Sequence, residues 1–182
     1  DYWVPPHLTY PERPLWEILD ATCIDVPDRV ATVFLGATLT YREVKTRSDR
    51  FAAALRALGI GPGDRVGIML PNCPQYVIAA FGILRAGAIV VNLNPTFTPR
   101  ELQIVAADSG LRLVVTLDAL VPLVRSVGAP AAIDHIVVTA LAEYGAGGAQ
   151  APRLDGCLAF ADLTVGDGQP PITRAAVHPD DV

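Results

Sequence analysis

From residue 65 onward, short apolar segments with strand character alternate with longer segments of helical periodicity. The predicted strands are Arg65–Leu70, Ala88–Leu93, Leu111–Thr116 and His135–Thr139, and the predicted helices are Pro74–Arg85, Pro99–Ser109 and Asp118–Val127. This alternation is typical of a parallel sheet with crossover helices. Runs such as Ile89-Val90-Val91 are apolar on both faces, which indicates central strands covered by helices. The sequence therefore predicts an α/β fold with a parallel-sheet, Rossmann-like layered subdomain.

A small helix and a β-hairpin are predicted ahead of the alternation. The helix covers Pro14–Cys23, and its inward face is formed by Leu15, Ile18 and Leu19. The hairpin strands are Val30–Leu35 and Thr38–Thr40, joined by a tight turn at Gly36-Ala37. A capping box at Thr40-Tyr41-Arg42-Glu43 then starts a helix that runs to about Leu58. The inward stripe of that helix is Val44, Ser48, Phe51, Leu55 and Leu58.

The chain divides into three parts on this pattern. Residues 1–40 hold the amino-terminal helix and hairpin, and residues 41–144 hold the strand-helix repeat. Residues 145–182 begin with the small-residue linker Gly145–Ala151, followed by a strand near Leu158–Leu163. The segment His178–Val182 resembles the entry to a further strand, so we expect the natural reading frame to continue beyond it.

Composition excludes several classes of protein. The chain is 51% apolar and 18% charged, which is too hydrophobic for a disordered protein. Its net charge of −5 argues against a nucleic-acid partner, which requires clustered basic residues. The longest apolar stretch, Val77–Leu93, is interrupted by Arg85 and two glycines, so no transmembrane segment is predicted.

Cysteine and histidine usage predicts a reduced, cytoplasmic protein without a metal site. The cysteines are far apart and odd in number, which disfavours a disulfide framework: they are Cys23, Cys73 and Cys157. The histidines show no ligand spacing and are interpreted as structural or surface residues: they are His7, His135 and His178.

A ligand site in an open α/β sheet is expected at the turns that follow the strands. These turns read Pro71-Asn72-Cys73-Pro74 and Asn94-Pro95-Thr96-Phe97-Thr98-Pro99, without the glycines that a phosphate loop uses. Asn72, Asn92 and Asn94 could contact a ligand there, although asparagines commonly satisfy backbone groups in turns. The one lysine, Lys45, lies inside a helix, so no P-loop is present. No catalytic residue is assigned.

Five motifs in order resemble the amino-terminal part of AMP-forming acyl-CoA synthetases, within the adenylate-forming superfamily. The motifs are Leu39–Val44, Leu58–Val66, Leu70–Pro74, Leu84–Pro95 and Thr98–Leu102. Each is weak alone, but their order and spacing are specific. The opening Trp3–Leu8 and Pro14-Leu15 are similar to the branch that acts on longer fatty acids.

The resemblance implies a full-length ligase that joins a fatty acid to AMP with ATP and Mg²⁺ and then transfers the acyl group to coenzyme A. The family's Thr/Gly-rich phosphate loop, which ends in Pro-Lys-Gly, does not occur in these 182 residues. The chain alone is therefore expected to be inactive and to bind none of these cofactors tightly. Peripheral membrane contact and a homodimer are left open.

The resemblance also implies one binding residue. In acetyl-CoA synthetase relatives, an arginine shortly after the strand corresponding to Leu111–Thr116 contacts the 3′-phosphate of coenzyme A. Arg125 lies near that place, although a solvated arginine at a helix carboxyl end is the ordinary alternative. Two other functions remain open from the sequence: a stand-alone Rossmann-like binding or interaction module, and part of an adenylating enzyme that feeds a carrier protein.

Overall fold

The computed structural model describes residues 13–129, 131 and 133–165. Several sequence features lie outside these residues, namely the opening motif at 3–8, His7, His178, and the closing segment at 178–182. Within the described residues, a five-stranded parallel sheet carries helices on both faces, and a two-stranded antiparallel hairpin lies beside it. The predicted α/β class, with its parallel sheet and its small hairpin, is confirmed.

The first helix, α1 (Glu17–Asp25), begins three residues later than predicted. Pro14 opens a turn instead, because its carbonyl accepts the Glu17 N–H at 3.0 Å. The predicted inward face was also wrong at two positions, since Leu15 and Ile18 are exposed and only Leu19 is buried. Trp16 takes their place in the core with 4% exposure. The prediction followed the spacing of aliphatic residues, whereas the helix buries Trp16, whose larger aromatic side chain removes more area from water.

The hairpin consists of β1 (Val30–Phe34) and β2 (Ala37–Thr40). Phe34 pairs with Ala37, so the two-residue turn is Leu35-Gly36 and the predicted turn at Gly36-Ala37 is displaced by one residue. Both turn residues have positive φ, 45° at Leu35 and 79° at Gly36, as a type I′ turn requires. Leucine is an unusual residue in this conformation, which explains why sequence preference pointed to the glycine and its successor.

The second helix, α2 (Tyr41–Ala57), begins at the predicted capping box. The Thr40 hydroxyl accepts the Glu43 N–H, and the Glu43 carboxylate accepts the Thr40 N–H at 2.7 Å. That backbone hydrogen bond is the main reason that the pKa of Glu43 lies below its ordinary value, despite slight desolvation. The predicted inward stripe is buried at Val44, Ser48, Phe51 and Leu55, while Leu58 is partly buried.

The parallel sheet has the strand order β4-β3-β5-β6-β7. Its strands are β3 (Arg65–Met69), β4 (Ile89–Asn92), β5 (Leu111–Leu117), β6 (His135–Thr139) and β7 (Leu158–Ala159). The first four lie where the sequence predicted strands. The interior position expected for residues 89–91 differs, because β4 pairs only with β3 and forms one edge of the described sheet.

The crossover helices α3 (Pro74–Ala86) and α4 (Pro99–Ser109) match their predicted ranges within one residue. The third predicted helix is split. Residues 118–120 form a 3-10 turn, and only α5 (Val121–Arg125) is α-helical. Pro122 lies in the first turn of α5 and lacks an N–H, so a continuous helix from residue 118 would lose a hydrogen bond there.

The strand predicted near Leu158–Leu163 is mostly helical. Only Leu158 and Ala159 pair with β6, and α6 (Phe160–Thr164) follows at once. Phe160 is fully buried and its ring centroid lies 5.1 Å from that of Phe51. The end of the described chain therefore packs into the same core as α2. The division of the chain at residue 145 stays a prediction.

Two hydrophobic clusters cover the two faces of the sheet. One cluster joins α1, α2, α3 and α6 to one face of the sheet. The other joins α4 and α5 to the opposite face, mainly at β3 and β5. Close packing of α2 against α3 depends on Gly82, where an added Cβ would lie 2.7 Å from the Phe51 ring. The sheet itself is apolar on both faces, as the sequence pattern indicated.

A partly buried ion cluster ties α1, α2 and α3 together. The Arg85 guanidinium binds the carboxylate of Asp20 and lies 3.0 Å from that of Asp49. Lys45 Nζ is 2.7 Å from Asp49 and 3.6 Å from Asp20. The guanidinium also lies over the Trp16 ring, 5.5 Å from its centroid. Two cations and two anions thus neutralise each other beneath α1.

Candidate functional site

The two turns predicted to carry a site lie side by side. They follow β3 and β4, which are adjacent and parallel, so their carboxyl ends open at the same edge of the sheet. The first turn leads into α3 and the second into α4. A groove of about 330 Å³ opens beside the first turn, between it and the hairpin strand β1. This edge is where the described residues could receive a ligand.

The three asparagines at this edge have different surroundings. Asn92 Oδ1 accepts the Tyr76 hydroxyl at 2.6 Å. Asn94 Oδ1 accepts both the backbone N–H and the hydroxyl of Thr96, at 3.0 and 2.8 Å. These two side chains therefore satisfy groups of the protein itself. Asn72 is exposed, lines the groove and has no side-chain hydrogen-bond partner within the described part of the chain, so both its amide oxygen and its amide nitrogen are available to a ligand.

Cys73 lines the same groove and is buried. Burial raises the pKa of its thiol, and hydrogen bonds from the Tyr76 and Gln75 N–H groups offset that effect only in part. A thiol that stays protonated at neutral pH is a weak nucleophile. The groove therefore offers a polar amide and a neutral thiol between apolar walls, and no activated nucleophile.

The start of each crossover helix is unsuited to a phosphate group. Pro74 and Pro99 each remove an N–H donor from the first turn. At α4 a capping box engages two backbone donors: the Thr98 hydroxyl accepts the Glu101 N–H at 3.3 Å, and the Glu101 carboxylate accepts the Thr98 N–H at 2.7 Å. That hydrogen bond lowers the pKa of Glu101, so a fixed negative charge occupies the place where an anion would bind. The starts of α3 and α4 are therefore unfavourable places for a phosphate group.

The described residues also lack a cluster of acidic, histidine and cysteine side chains that could hold a metal ion. No group of three histidine, cysteine, aspartate or glutamate side chains comes together in that part of the chain. The cysteines are free thiols: Cys23, Cys73 and Cys157. His135, at the start of β6, is the one histidine among the described residues.

The sequence analysis did not predict a network of hydrogen bonds at the carboxyl end of β6 that begins at a buried glutamine. Gln75 is fully buried, and its Nε2 donates to the Ala140 carbonyl at 2.9 Å and to the Thr139 hydroxyl at 3.3 Å. The Thr139 hydroxyl in turn donates to Glu143, whose other carboxylate oxygen accepts the Ala151 N–H at 2.9 Å. These contacts fasten the 140–151 segment to α3. The only sequence signal was a polar residue at an otherwise apolar helix position.

Arg125 lies at the last position of α5 and is exposed. Its guanidinium donates to the backbone carbonyl of Asp155 and contacts Cys157 Sγ at 3.5 Å. The structure thus gives Arg125 partners in the 155–157 segment and no contact with the three asparagines. Because the side chain is exposed, the remaining N–H donors of its guanidinium face solvent.

The parallel sheet and its capped crossover helices define an α/β unit with the fold of adenylate-forming enzymes. The chain belongs to the AMP-binding enzyme family, whose model, "AMP-binding enzyme", matches residues 19–182. The predicted family resemblance is therefore confirmed. None of the helices within the described ranges is long and apolar enough to cross a membrane.

Within this family, the chain is similar in sequence to ligases that are named for long-chain fatty acids. A long-chain-fatty-acid–CoA ligase of Bacillus subtilis strain 168 is 38% identical over 141 residues, which is 78% of this chain and 25% of the relative. The same enzyme name belongs to a relative from Escherichia coli O6:H1, 43% identical over 117 residues, or 64% of this chain and 21% of the relative. The chain thus spans about a quarter of the length of these relatives.

Among solved structures, an anthranilate CoA ligase in complex with anthranoyl-AMP superimposes with a TM-score of 0.78 at 25% identity. The match covers 93% of this chain and 31% of that protein. Nearly the whole chain therefore has its counterpart within one part of a larger adenylate-forming enzyme.

Proposed function

We propose that this chain is part of a ligase that activates a long-chain fatty acid as its acyl adenylate and transfers the acyl group to coenzyme A. The observation that carries the proposal is the 38% identity to the Bacillus subtilis long-chain-fatty-acid–CoA ligase over 141 residues. The five motifs of the sequence analysis, which include the capped helix starts and the strand ends, also support the proposal because they occur in the order of that family. ATP, Mg²⁺ and coenzyme A are the cofactors of the whole enzyme in this proposal.

Within that enzyme, the chain acts as a structural layer beside the active site and supplies no catalytic residue. This role is supported by the capped helix starts, by the protonated Cys73 thiol and by the single lysine, Lys45, which is engaged with Asp49. Catalysis at a phosphoryl group requires cationic or metal clamps at the phosphates. The residues that hold ATP and Mg²⁺ are accordingly proposed to lie outside these 182.

The test compares two proteins in ATP–pyrophosphate exchange driven by palmitate. The purified chain is expected to give no exchange above a no-protein blank. The Bacillus subtilis ligase with its 141-residue matching region replaced by that of this chain is expected to retain palmitate-dependent exchange. Exchange by the chain alone contradicts the structural role. A folded chimera, with native-like circular dichroism and a cooperative unfolding transition, that lacks exchange contradicts the ligase assignment.

Arg125 is proposed to bind the 3′-phosphate of coenzyme A in the complete enzyme. Its exposed guanidinium at a helix carboxyl end, held by the Asp155 carbonyl, keeps donors free for such a contact. A charge-assisted hydrogen bond contributes roughly 1.5–3 kcal/mol. In the chimera, Arg125→Ala is therefore expected to raise the Kd for coenzyme A roughly tenfold or more and to leave the Kd for dephospho-coenzyme A unchanged.

A control variant and a comparison of two ligands distinguish loss of the Arg125 phosphate contact from loss of the local fold. Arg153→Ala removes an exposed arginine just before residues 155–157 that pairs with Asp162, and it is expected to change neither Kd. Titration calorimetry with both ligands gives the readout without turnover. An equal loss of affinity for both ligands in Arg125→Ala contradicts phosphate recognition and leaves Arg125 as the support of the 155–157 segment.

The compartment and the assembly belong to the same proposal. The free cysteines support a reducing compartment, which for this enzyme is the cytoplasm. A fatty acid substrate partitions into lipid, which supports peripheral contact with a membrane surface. A homodimer is proposed as the assembly.

A further inference from the structure

The first helix, α1, receives little stabilisation from its own sequence. It has nine residues, and an isolated helix of that length is marginal in water. No side-chain hydrogen bond caps its amino terminus, whereas α2 and α4 each begin with a capping box. Asp25 places a negative charge at its carboxyl end, where the helix dipole is also negative. The helical state of α1 therefore depends on its contacts with α2 and α3.

Among the described residues, these contacts combine two apolar side chains with one charge. Leu19 of α1 and Trp16 just before it are buried, each with 4% exposure. Asp20 is the other buried residue of α1, and its carboxylate binds Arg85 of α3. Burying a charge costs free energy that its ion pair offsets only in part. The net free energy that docks α1 is therefore small compared with that of a helix with an apolar stripe.

The chain after α1 is fastened independently of it. The carbonyls of Pro27 and Arg29 accept the N–H groups of Arg42 and Tyr41, at 2.9 and 3.0 Å. Val26 lies between α1 and this fastened segment. A movement of α1 about Val26 would leave the hairpin and α2 in place.

The cations that bind Asp20 have a second anion that does not belong to α1. The carboxylate of Asp49, on α2, lies 3.0 Å from the Arg85 guanidinium and 2.7 Å from Lys45 Nζ. Departure of α1 would therefore remove Asp20 without leaving either cation unpaired. When α1 is docked, by contrast, two carboxylates share the same two cations and repel each other.

We propose that α1 is a conformational latch, which opens as a unit about Val26 while the sheet, α2 and α3 stay folded. Asp49 neutralises the two cations of the ion cluster in the open form. It also favours that form, because it repels Asp20 only when α1 is docked. The inference rests on contacts among α1, α2 and α3 and does not depend on the ligase assignment.

The test is native-state hydrogen exchange of the 182-residue chain, resolved by NMR over a series of low urea concentrations. The hydrogen-bonded amides of α1 are expected to exchange at least roughly tenfold faster than those around Phe51 in α2. They are also expected to share one weak dependence on urea, because local opening exposes less surface than global unfolding. Exchange of α1 with the rate and urea dependence of α2 overturns the proposal, since α1 would then open only when the whole chain unfolds.

The variant Asp49→Asn distinguishes the latch from ordinary fraying of a helix end. It keeps the size of the side chain and removes the charge that repels Asp20, so exchange of the α1 amides is expected to slow about threefold. Asp162→Asn makes the same change in an exposed ion pair outside the cluster and is expected to leave α1 exchange unchanged. Circular dichroism and urea unfolding establish that both variants are folded. Unchanged or faster α1 exchange in Asp49→Asn overturns the proposal, because the Asp49 charge would then not favour the open form.

Discussion

Replacing Arg85 with methionine is expected to lower the free energy of unfolding by about 3–5 kcal/mol. Arg85 has 8% exposure, and its guanidinium binds Asp20, which is likewise buried at 7%. The substitution takes from the buried Asp20 carboxylate the guanidinium that binds it, which weakens the compensation of that charge in a medium of low dielectric. Lys45 compensates weakly, since its Nζ lies 3.6 Å from Asp20 and is already engaged with Asp49.

The contact with Asp49 adds less to this effect, because the Asp49 side chain is 37% exposed and solvent screens the pair. The aromatic contact adds a further loss, since the guanidinium lies over Trp16. Urea unfolding followed by far-UV circular dichroism gives the free energy. Tryptophan fluorescence gives a second signal, to which Trp3 contributes together with Trp16, the tryptophan that adjoins the substituted side chain.

Two variants make the comparison decisive. Arg50→Met, at an α2 arginine without an ion pair in the described part of the chain, is expected to change the free energy by less than about 0.5 kcal/mol. The double variant Asp20→Leu/Arg85→Met removes both buried charges and is expected to be more stable than Arg85→Met. A single Arg85→Met variant within about 1 kcal/mol of the native chain would show that the ion cluster is not a main determinant of stability.

Local signals predicted most of the fold because the chain satisfies its helix ends locally. The capping boxes at Thr40 and Thr98 each contain both reciprocal hydrogen bonds, and both helices begin at the predicted residues. Glycine supplies the left-handed stop after α3, where Gly87 has φ of 82°. These features depend on residues three or four positions apart, so the sequence displays them directly.

Features that depend on distant residues were not predictable in the same way. The edge position of β4 follows from the order in which strands pair, and strand composition does not encode that order. The Asp20–Arg85 pair joins residues 65 positions apart, and each looks like an ordinary surface charge in sequence. Leu35 has a positive φ because the register of the hairpin requires it, against the local preference of leucine.

The candidate site shows the same division. The α/β class alone predicts that the turns after β3 and β4 open at one edge of the sheet. The positions of Asn72, Asn92 and Asn94 at that edge were therefore predictable from the sequence. Which of them is satisfied internally depends on partners such as Tyr76, which lies 16 residues before Asn92. The series of hydrogen bonds that links Gln75 to Ala151 begins with a contact between residues 65 positions apart, so the local sequence gave almost no signal of it.

Phe160→Ala is the second substitution with a large expected effect, a loss of about 3–5 kcal/mol in the free energy of unfolding. The Phe160 side chain is fully buried although it follows a small-residue linker. Its ring contacts Phe51 at 5.1 Å and Tyr144 at 6.5 Å between centroids, both in tilted geometry. Truncation removes these contacts and leaves a cavity that a rigid core fills only in part.

The variant also tests how residues 145–165 relate to the sheet. If α6 belongs to the cooperative unit, Phe160→Ala shifts the whole urea transition to lower denaturant with an unchanged m-value, because the surface exposed on unfolding is the same. Val165→Ala is the matched control, since Val165 is 54% exposed, and it is expected to change stability by less than about 0.5 kcal/mol. If the segment forms a unit of its own, the main transition stays in place and only the signal of residues beyond 145 is lost. That outcome would contradict a shared core and would favour the predicted boundary between residues 144 and 145.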